Sequence, residues 1–164
     1  MDDRISGQQT GVAPVSVHFV NNVLAAAASY IEEDPDMARD VLAELGAFLS
    51  HRLRPRRTVS PAEELEHVGV YLRLERARFP DRIPVELPAA SELPRARLAP
   101  GEIQAPLSEA LGRWMAQSTA PVRLALRARG DALDLQLDRP GEPGEAGERL
   151  RIPLGPTTAE SIAS

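Results

Sequence analysis

The sequence predicts an α+β fold: an antiparallel helical hairpin able to pair into a dimeric four-helix bundle, followed by a small unit of mixed helices and strands. Three observations carry this. Apolar residues recur at helical spacing through residues 17–79, and Asp34-Pro35 and Ser60-Pro61 mark helix starts within that stretch. After residue 121 the apolar period switches to alternation, which marks strands. The 164 residues suffice for one ordinary domain, or for a hairpin and a small α+β domain sharing one core. With 43% hydrophobic but only 4% aromatic residues, that core must be Leu, Val, Ile and Ala, which favours helix packing.

Residues 1–14 are polar and aperiodic, a flexible tail. Val17, Val20, Leu24, Ala27 and Ile31 follow a 3-4-3-4 spacing, which predicts a helix over 15–32 with a coiled-coil-like seam. Asp34-Pro35 places an N-cap residue before Pro at the first helical position. Ala38, Val41, Leu42, Leu45, Phe48 and Leu49 then form the stripe of a second helix, 35–53. The short connection forces the two to fold back antiparallel. Each seam is wider than one partner needs, so a homodimer would bury the surplus.

Arg54-Pro55-Arg56-Arg57 breaks the helix, and Ser60-Pro61-Ala62-Glu63 is a capping box opening a third helix to about Phe79, buried on Leu65, Val68, Leu72 and Phe79. Pro80-Asp81 turns the chain into a short strand, 82–87, and a Pro-punctuated connection leads to a fourth helix, 101–117. Residues 122–127 and 133–138 alternate around the Gly130-Asp131 turn as a β-hairpin. Residues 139–148, rich in Gly, Pro and Glu, form an exposed loop before a last strand, 149–154, and a flexible tail, 155–164. The division is a dimerisation hairpin at 15–57 and a second domain at 58–154.

Composition removes several functions. Without Cys there are no disulfides, thiolate metal sites or cysteine nucleophiles, and the three His lack metal-ligand spacing, so no metal site and no bound cofactor are expected. A net charge of −5 argues against nucleic acid as a partner. All 19 basic residues are Arg, which we attribute to coding bias. The longest apolar run, Val23 to Ile31, is mostly Ala and too short for a membrane span, so a cytoplasmic protein without membrane insertion is expected.

Two stretches carry a resemblance. Val17-His18-Phe19-Val20-Asn21-Asn22 matches N-P-H-F-L-F-N in the His, the Phe and the final Asn. Glu63-Glu64-Leu65-Glu66 with Tyr71-Leu72-Arg73-Leu74-Glu75-Arg76-Ala77-Arg78-Phe79-Pro80-Asp81-Arg82 is similar to E-E-L-E…Y-L-E-I-E-Q-A-R-F-G-D-R. Both boxes belong to the LytS-type sensor histidine kinases, which the chain resembles from residue 15 to about 138. The resemblance implies that the hairpin dimerises and accepts phosphate on His18, and that residues 58–154 form a GHKL-like α/β sandwich, the ATP-binding domain of the family. The departures lie there. Family Q-P-L-V-E-N-A-I-K-H-G is Ala105-Pro106-Leu107-Ser108-Glu109-Ala110-Leu111-Gly112-Arg113-Trp114-Met115, with Ala110 where the family's Asn helps hold magnesium and phosphates. Family D-N-G-x-G is Asp138-Arg139-Pro140-Gly141-Glu142, without the glycines that allow close backbone approach to adenine. The Gly-rich lid is missing, and no G-x-x-x-x-G-K-[ST] replaces it. The domain reads as truncated and degenerate, and autonomous autokinase activity is not expected.

A neutral imidazole has a free nitrogen nucleophile near pH 7, so His18 can accept a phosphoryl group from a partner's aspartyl phosphate. Any magnesium would come with the partner receiver domain. Asn22, four residues on, shares its helix face and could hold the ring. His18 sits one position off the seam, on the bundle's flank, and antiparallel pairing sets it level with Phe48 and Leu49, near His51 and Arg52. Arg52, Arg54, Arg56 and Arg57 would then attract an acidic receiver, or merely complement a helix C-terminus. His51 and His67 read as surface residues, and Glu109 and Asp138 as structural remnants. Two functions follow. One is a phosphotransferase relaying phosphate to or from a response regulator through His18 and Asn22. The other is a non-catalytic adaptor binding an intact histidine kinase or a response regulator. A third, ATP-dependent kinase activity, runs against the losses.

Overall fold

The computed structural model describes residues 15–53, 58–140 and 147–154; the two predicted tails, the Arg54-Pro55-Arg56-Arg57 break and residues 141–146 of the predicted loop lie outside them. The elements are α1 Val17–Tyr30, α2 Pro35–Leu53, α3 Pro61–Arg78, β1 Val85–Glu86, α4 Gln104–Gln117, β2 Arg123–Arg129, β3 Ala132–Asp138 and β4 Glu148–Pro153. The chain is therefore α+β. No helix among the described residues is long and apolar enough to cross a membrane.

Caps fix the helix starts where the sequence puts them. Ser16 Oγ accepts the Phe19 N–H at 3.2 Å, and Asp34 Oδ1 accepts the Met37 N–H at 3.0 Å. At α3 the capping box is complete: the Glu63 N–H donates to Ser60 Oγ at 3.2 Å and the Ser60 N–H to Glu63 Oε2 at 2.8 Å. α1 and α2 pack on each other and both pack on α3. The Tyr30 hydroxyl donates to the Ala77 carbonyl at 2.9 Å, and Arg73 pairs with Glu44 at 2.5 Å.

The sheet runs β1-β2-β3-β4, with β1 parallel to β2 and the other pairs antiparallel. Leu124 lies opposite Leu137, and Leu133 opposite Ile152. These side chains join Val23, Phe48, Val68 and Leu107 of the four helices in one buried cluster, so a single core runs through the helical and β parts.

Three expectations change. The strand expected over 82–87 is only Val85–Glu86, although the Arg82 and Pro84 carbonyls still accept the Val122 and Leu124 N–H groups at 2.8 Å. Pro84 has no N–H to return to the ladder. The fourth helix begins at Gln104 because Gly101, at φ +91°, adopts a left-handed conformation that cannot start a helix. In α1 the buried line is Val23 and Ala27, while Val17, Leu24 and Ile31 of the expected seam stay exposed. α1 has two neighbours, α2 and α3, so burial centres on the wedge between them.

Gly101 is constrained twice, since a Cβ there would also overlap Nη1 of Arg52. Gly101→Ala should lower stability by about 2 kcal/mol or more in chemical denaturation. Gly112→Ala, mid-helix in α4 with nothing within 4 Å of its Cβ, should raise it by roughly 0.5–1 kcal/mol.

Candidate functional site

A groove of about 540 Å³ opens along α1, α3 and α4, and its lining includes both residues singled out from the sequence, His18 and Asn22. His18 is exposed, and the Asn22 side-chain nitrogen lies 3.0 Å from its Nε2. With the amide donating, Nε2 carries the lone pair and Nδ1 the proton. That is the tautomer in which Nε2 is a nucleophile. The next residue, Phe19, turns inward against Phe48 and Tyr71, ring centroids 5.4 and 5.3 Å apart, so α1 is anchored directly beside the histidine.

Phe48 and Arg52 of α2 line the same groove, in line with the expected level of His18. The other two histidines correct the sequence reading. His67 is buried and stacks on Phe48 at 4.8 Å, and His51 stacks on His67 at 3.9 Å. His67 lies inward because α2 covers that face of α3, and His51 near the end of α2 is half-buried against it. Of the Arg cluster, only Arg52 lies within the described residues, and it is buried.

The α3 wall is a chain of polar groups that sequence reasoning took only as a matching motif. The Tyr71 hydroxyl donates to Glu75 Oε1 at 3.0 Å, and Arg78 Nη1 donates to Glu75 Oε2 at 2.8 Å. Burial pushes the Glu75 carboxyl above the usual range, with Arg78 pulling it back; burial and Glu75 together push the Tyr71 phenol up. Arg78 also stacks on Phe79, 4.9 Å from the ring centroid. Tyr71, Glu75 and Arg78 at i, i+4 and i+7 share one face of a helix, which is the signal that could have found them.

Under the groove lies a second buried assembly. Glu64 is wholly buried and faces the backbone amides of Gly101, Ile103 and Gln104, with Gln104 N–H donating to it at 3.4 Å. Arg52 supplies the opposite charge. Burial raises the Glu64 carboxyl and lowers the Arg52 guanidinium from their ordinary values.

The positions that bind nucleotide in the resembled family have other occupations. Ala110 is packed in the core. Asp138 accepts from Arg123 Nε and Nη2 at 2.9 and 3.0 Å and from Gln136 at 2.8 Å, and those Arg123 hydrogen bonds hold its carboxyl below the usual range. Glu109 pairs with Arg113 at 2.8 Å, and Arg113 also holds Glu148 of β4. A Cβ on Gly147 would meet the Leu137 carbonyl at 2.5 Å, so β4 enters tight against the end of β3. Among the described residues no three His, Cys, Asp or Glu side chains gather to hold a metal.

The chain is similar in sequence to known proteins. Residues 12–83 match the histidine kinase family model. The sensor histidine kinase BtsS of Escherichia coli K12 is 32% identical over 127 residues, 77% of this chain and 23% of BtsS. The sensor protein LytS of Enterococcus faecalis is 28% identical over 153 residues, 91% of this chain and 26% of LytS, and LytS of Bacillus subtilis is 30% identical over 101 residues, 60% and 17%. The chain thus spans about a quarter or less of the length of these relatives.

Two measurements check the geometry. In nitrogen-15 NMR the neutral His18 ring should carry its proton on Nδ1, and Asn22→Ala should shift the tautomer populations toward the Nε2–H form; an unchanged ring would contradict the contact. Because the folded Asp138 carboxyl lies below its unfolded value, its contribution is present above the unfolded value and lost as pH falls through the folded one. Asp138→Asn should therefore lower stability at neutral pH, and its unfolding curve should converge on the wild type's in acid.

Proposed function

We propose a function from the premise that this chain belongs to the LytS-type sensor histidine kinase family: it is a dimeric phosphotransferase that relays phosphate to or from a response regulator through His18. The observation that carries this is the exposed His18 ring with Asn22 on its Nε2, at the lip of an open groove. In the forward step the lone pair of Nε2 attacks phosphorus, the P–O bond of the aspartyl phosphate breaks, and the carboxylate leaves with the bonding pair. Asn22 then gives its N–H to a phosphoryl oxygen. The reverse step returns the phosphoryl group to the regulator, whose receiver domain brings the magnesium.

On this reading α1 and α2 form an antiparallel dimerisation hairpin, and residues 58–154 a truncated GHKL-like domain. Dimerisation is supported by the apolar residues that one chain leaves uncovered: Val17 and Leu24 of α1 and its C-cap Ile31 stand one heptad apart, with Leu42 and Leu53 on α2. The loss of autokinase activity is supported by the core position of Ala110 and the engagement of Asp138 by Arg123. The same two observations favour the alternative, a non-catalytic adaptor for a kinase or regulator.

Incubated with a phosphorylated cognate receiver, the chain should acquire acid-labile, base-stable phosphate, and His18→Gln should acquire none. If no cognate receiver transfers label while partner binding persists in His18→Ala, the adaptor reading replaces the relay. Magnesium-ATP should leave the melting temperature unchanged; a clear rise would return the chain to the ATP-dependent kinases.

A further inference from the structure

The wall of the His18 groove carries an arginine whose arrangement exceeds what the fold asks of it. Arg78 lines the same groove as His18 and Asn22, and its guanidinium carbon lies 6.0 Å from the ring centroid of Phe19, the residue next to His18. Its side chain is 17% exposed, low for a cation yet open enough to meet a ligand. One N–H goes to Glu75, and the guanidinium plane lies over Phe79. Glu75 is in turn fixed by the Tyr71 hydroxyl. A guanidinium has five N–H donors, so a fork held from behind by one carboxylate can present others to an anion in front.

A phosphoryl group on His18 would bring about two negative charges into the groove. Among the described residues two carboxylates already line it: Glu75, bonded to Tyr71 and Arg78, and Glu109, largely exposed and paired with Arg113. The other arginine among the described lining residues, Arg52, is buried and lies against Glu64 and Gly101. Among the described residues, Arg78 is the cation poised on the groove itself. We infer that Arg78 is the phosphoryl-binding residue of this site, receiving the phosphoryl oxygens when phosphorus is bonded to Nε2 of His18, with Tyr71 and Glu75 as the positioning residues that hold its fork. The inference rests on His18 being phosphorylatable, as proposed above, but not on which protein donates the phosphate.

The test uses phosphoramidate, which needs no partner protein. Its P–N bond breaks and ammonia leaves with the bonding pair. The Nε2 lone pair forms the new P–N bond, and the Nδ1 proton passes to water. Phosphate uptake at His18 and its hydrolysis half-life are followed by phosphorus-31 NMR on the full chain. Arg78→Gln should slow uptake roughly tenfold or more, the loss of a charge-assisted hydrogen bond. Arg78→Lys, keeping charge without the fork, should fall between. Arg76→Gln, on the exposed side of α3, should match wild type. If Arg78→Gln melts early because Glu75 is left unpaired, the double variant Glu75→Gln/Arg78→Gln removes that carboxylate and should show the same slowed uptake. Uptake at the wild-type rate by a folded Arg78 variant would overturn the inference, as would a wild-type chain that phosphoramidate fails to label on His18. A wild-type chain labelled by phosphoramidate, with the Arg78 dependence, but not by any phosphorylated receiver would sink the relay and leave the phosphoryl-binding role standing.

Discussion

Glu64 is the residue on which the arrangement of this chain depends. A carboxylate with no exposure to water must be paired and hydrogen-bonded, and Glu64, in the first turn of α3, takes its partners from two other segments: Arg52 at the end of α2, and the amides of Gly101, Ile103 and Gln104 entering α4. The first amides of a helix have no intrahelical acceptor, so α4 gains from the carboxylate what Glu64 gains from α4. Gly101 is the geometric price: only a residue without Cβ lets Arg52 lie so close while the backbone holds φ +91°. The helical pair and the β-bearing part are thereby locked to one another by a buried polar contact.

The groove is a consequence of that lock. With α2 fixed to α3 and α4, α1 can only lie along α2 and α3, and Phe19 against Phe48 and Tyr71 sets its depth. His18, one residue before Phe19, then stands at the rim rather than in the core, and Asn22, one turn on, meets its Nε2. The Tyr71, Glu75 and Arg78 chain faces the same space from α3. Ion pairs tie the β-bearing part together. Asp138 ties β3 to β2 through Arg123, and Arg113 ties α4 to β4 through Glu148.

Most of the fold was legible because its signals are local. Asp34-Pro35 and the Ser60 box are chemical starts to helices, and the structure begins α2 and α3 there. Alternation over 122–138 gave a hairpin whose register pairs Leu124 with Leu137. His18 and Asn22 came from a motif and an i, i+4 spacing, both local as well. What was not legible depends on the packing of distant segments. Nothing in the spacing of α1 distinguishes Val23 from Leu24 until α3 is known to be a second neighbour. His67 looks solvated in sequence but lies beneath α2. Glu64 read as one letter of an acidic run, Glu63-Glu64-Leu65-Glu66, because its partners lie 12 positions earlier and some 40 later.

The central claim is that this groove exists to present Nε2 of His18 to a phosphoryl group. The most direct measurement is the phosphorus-31 to nitrogen-15 coupling in chain labelled at histidine and treated with its phosphorylated receiver. The account predicts one phosphohistidine signal, coupled to Nε2 of His18. A signal assigned to His51 or His67, or coupling to Nδ1 of His18, would contradict it.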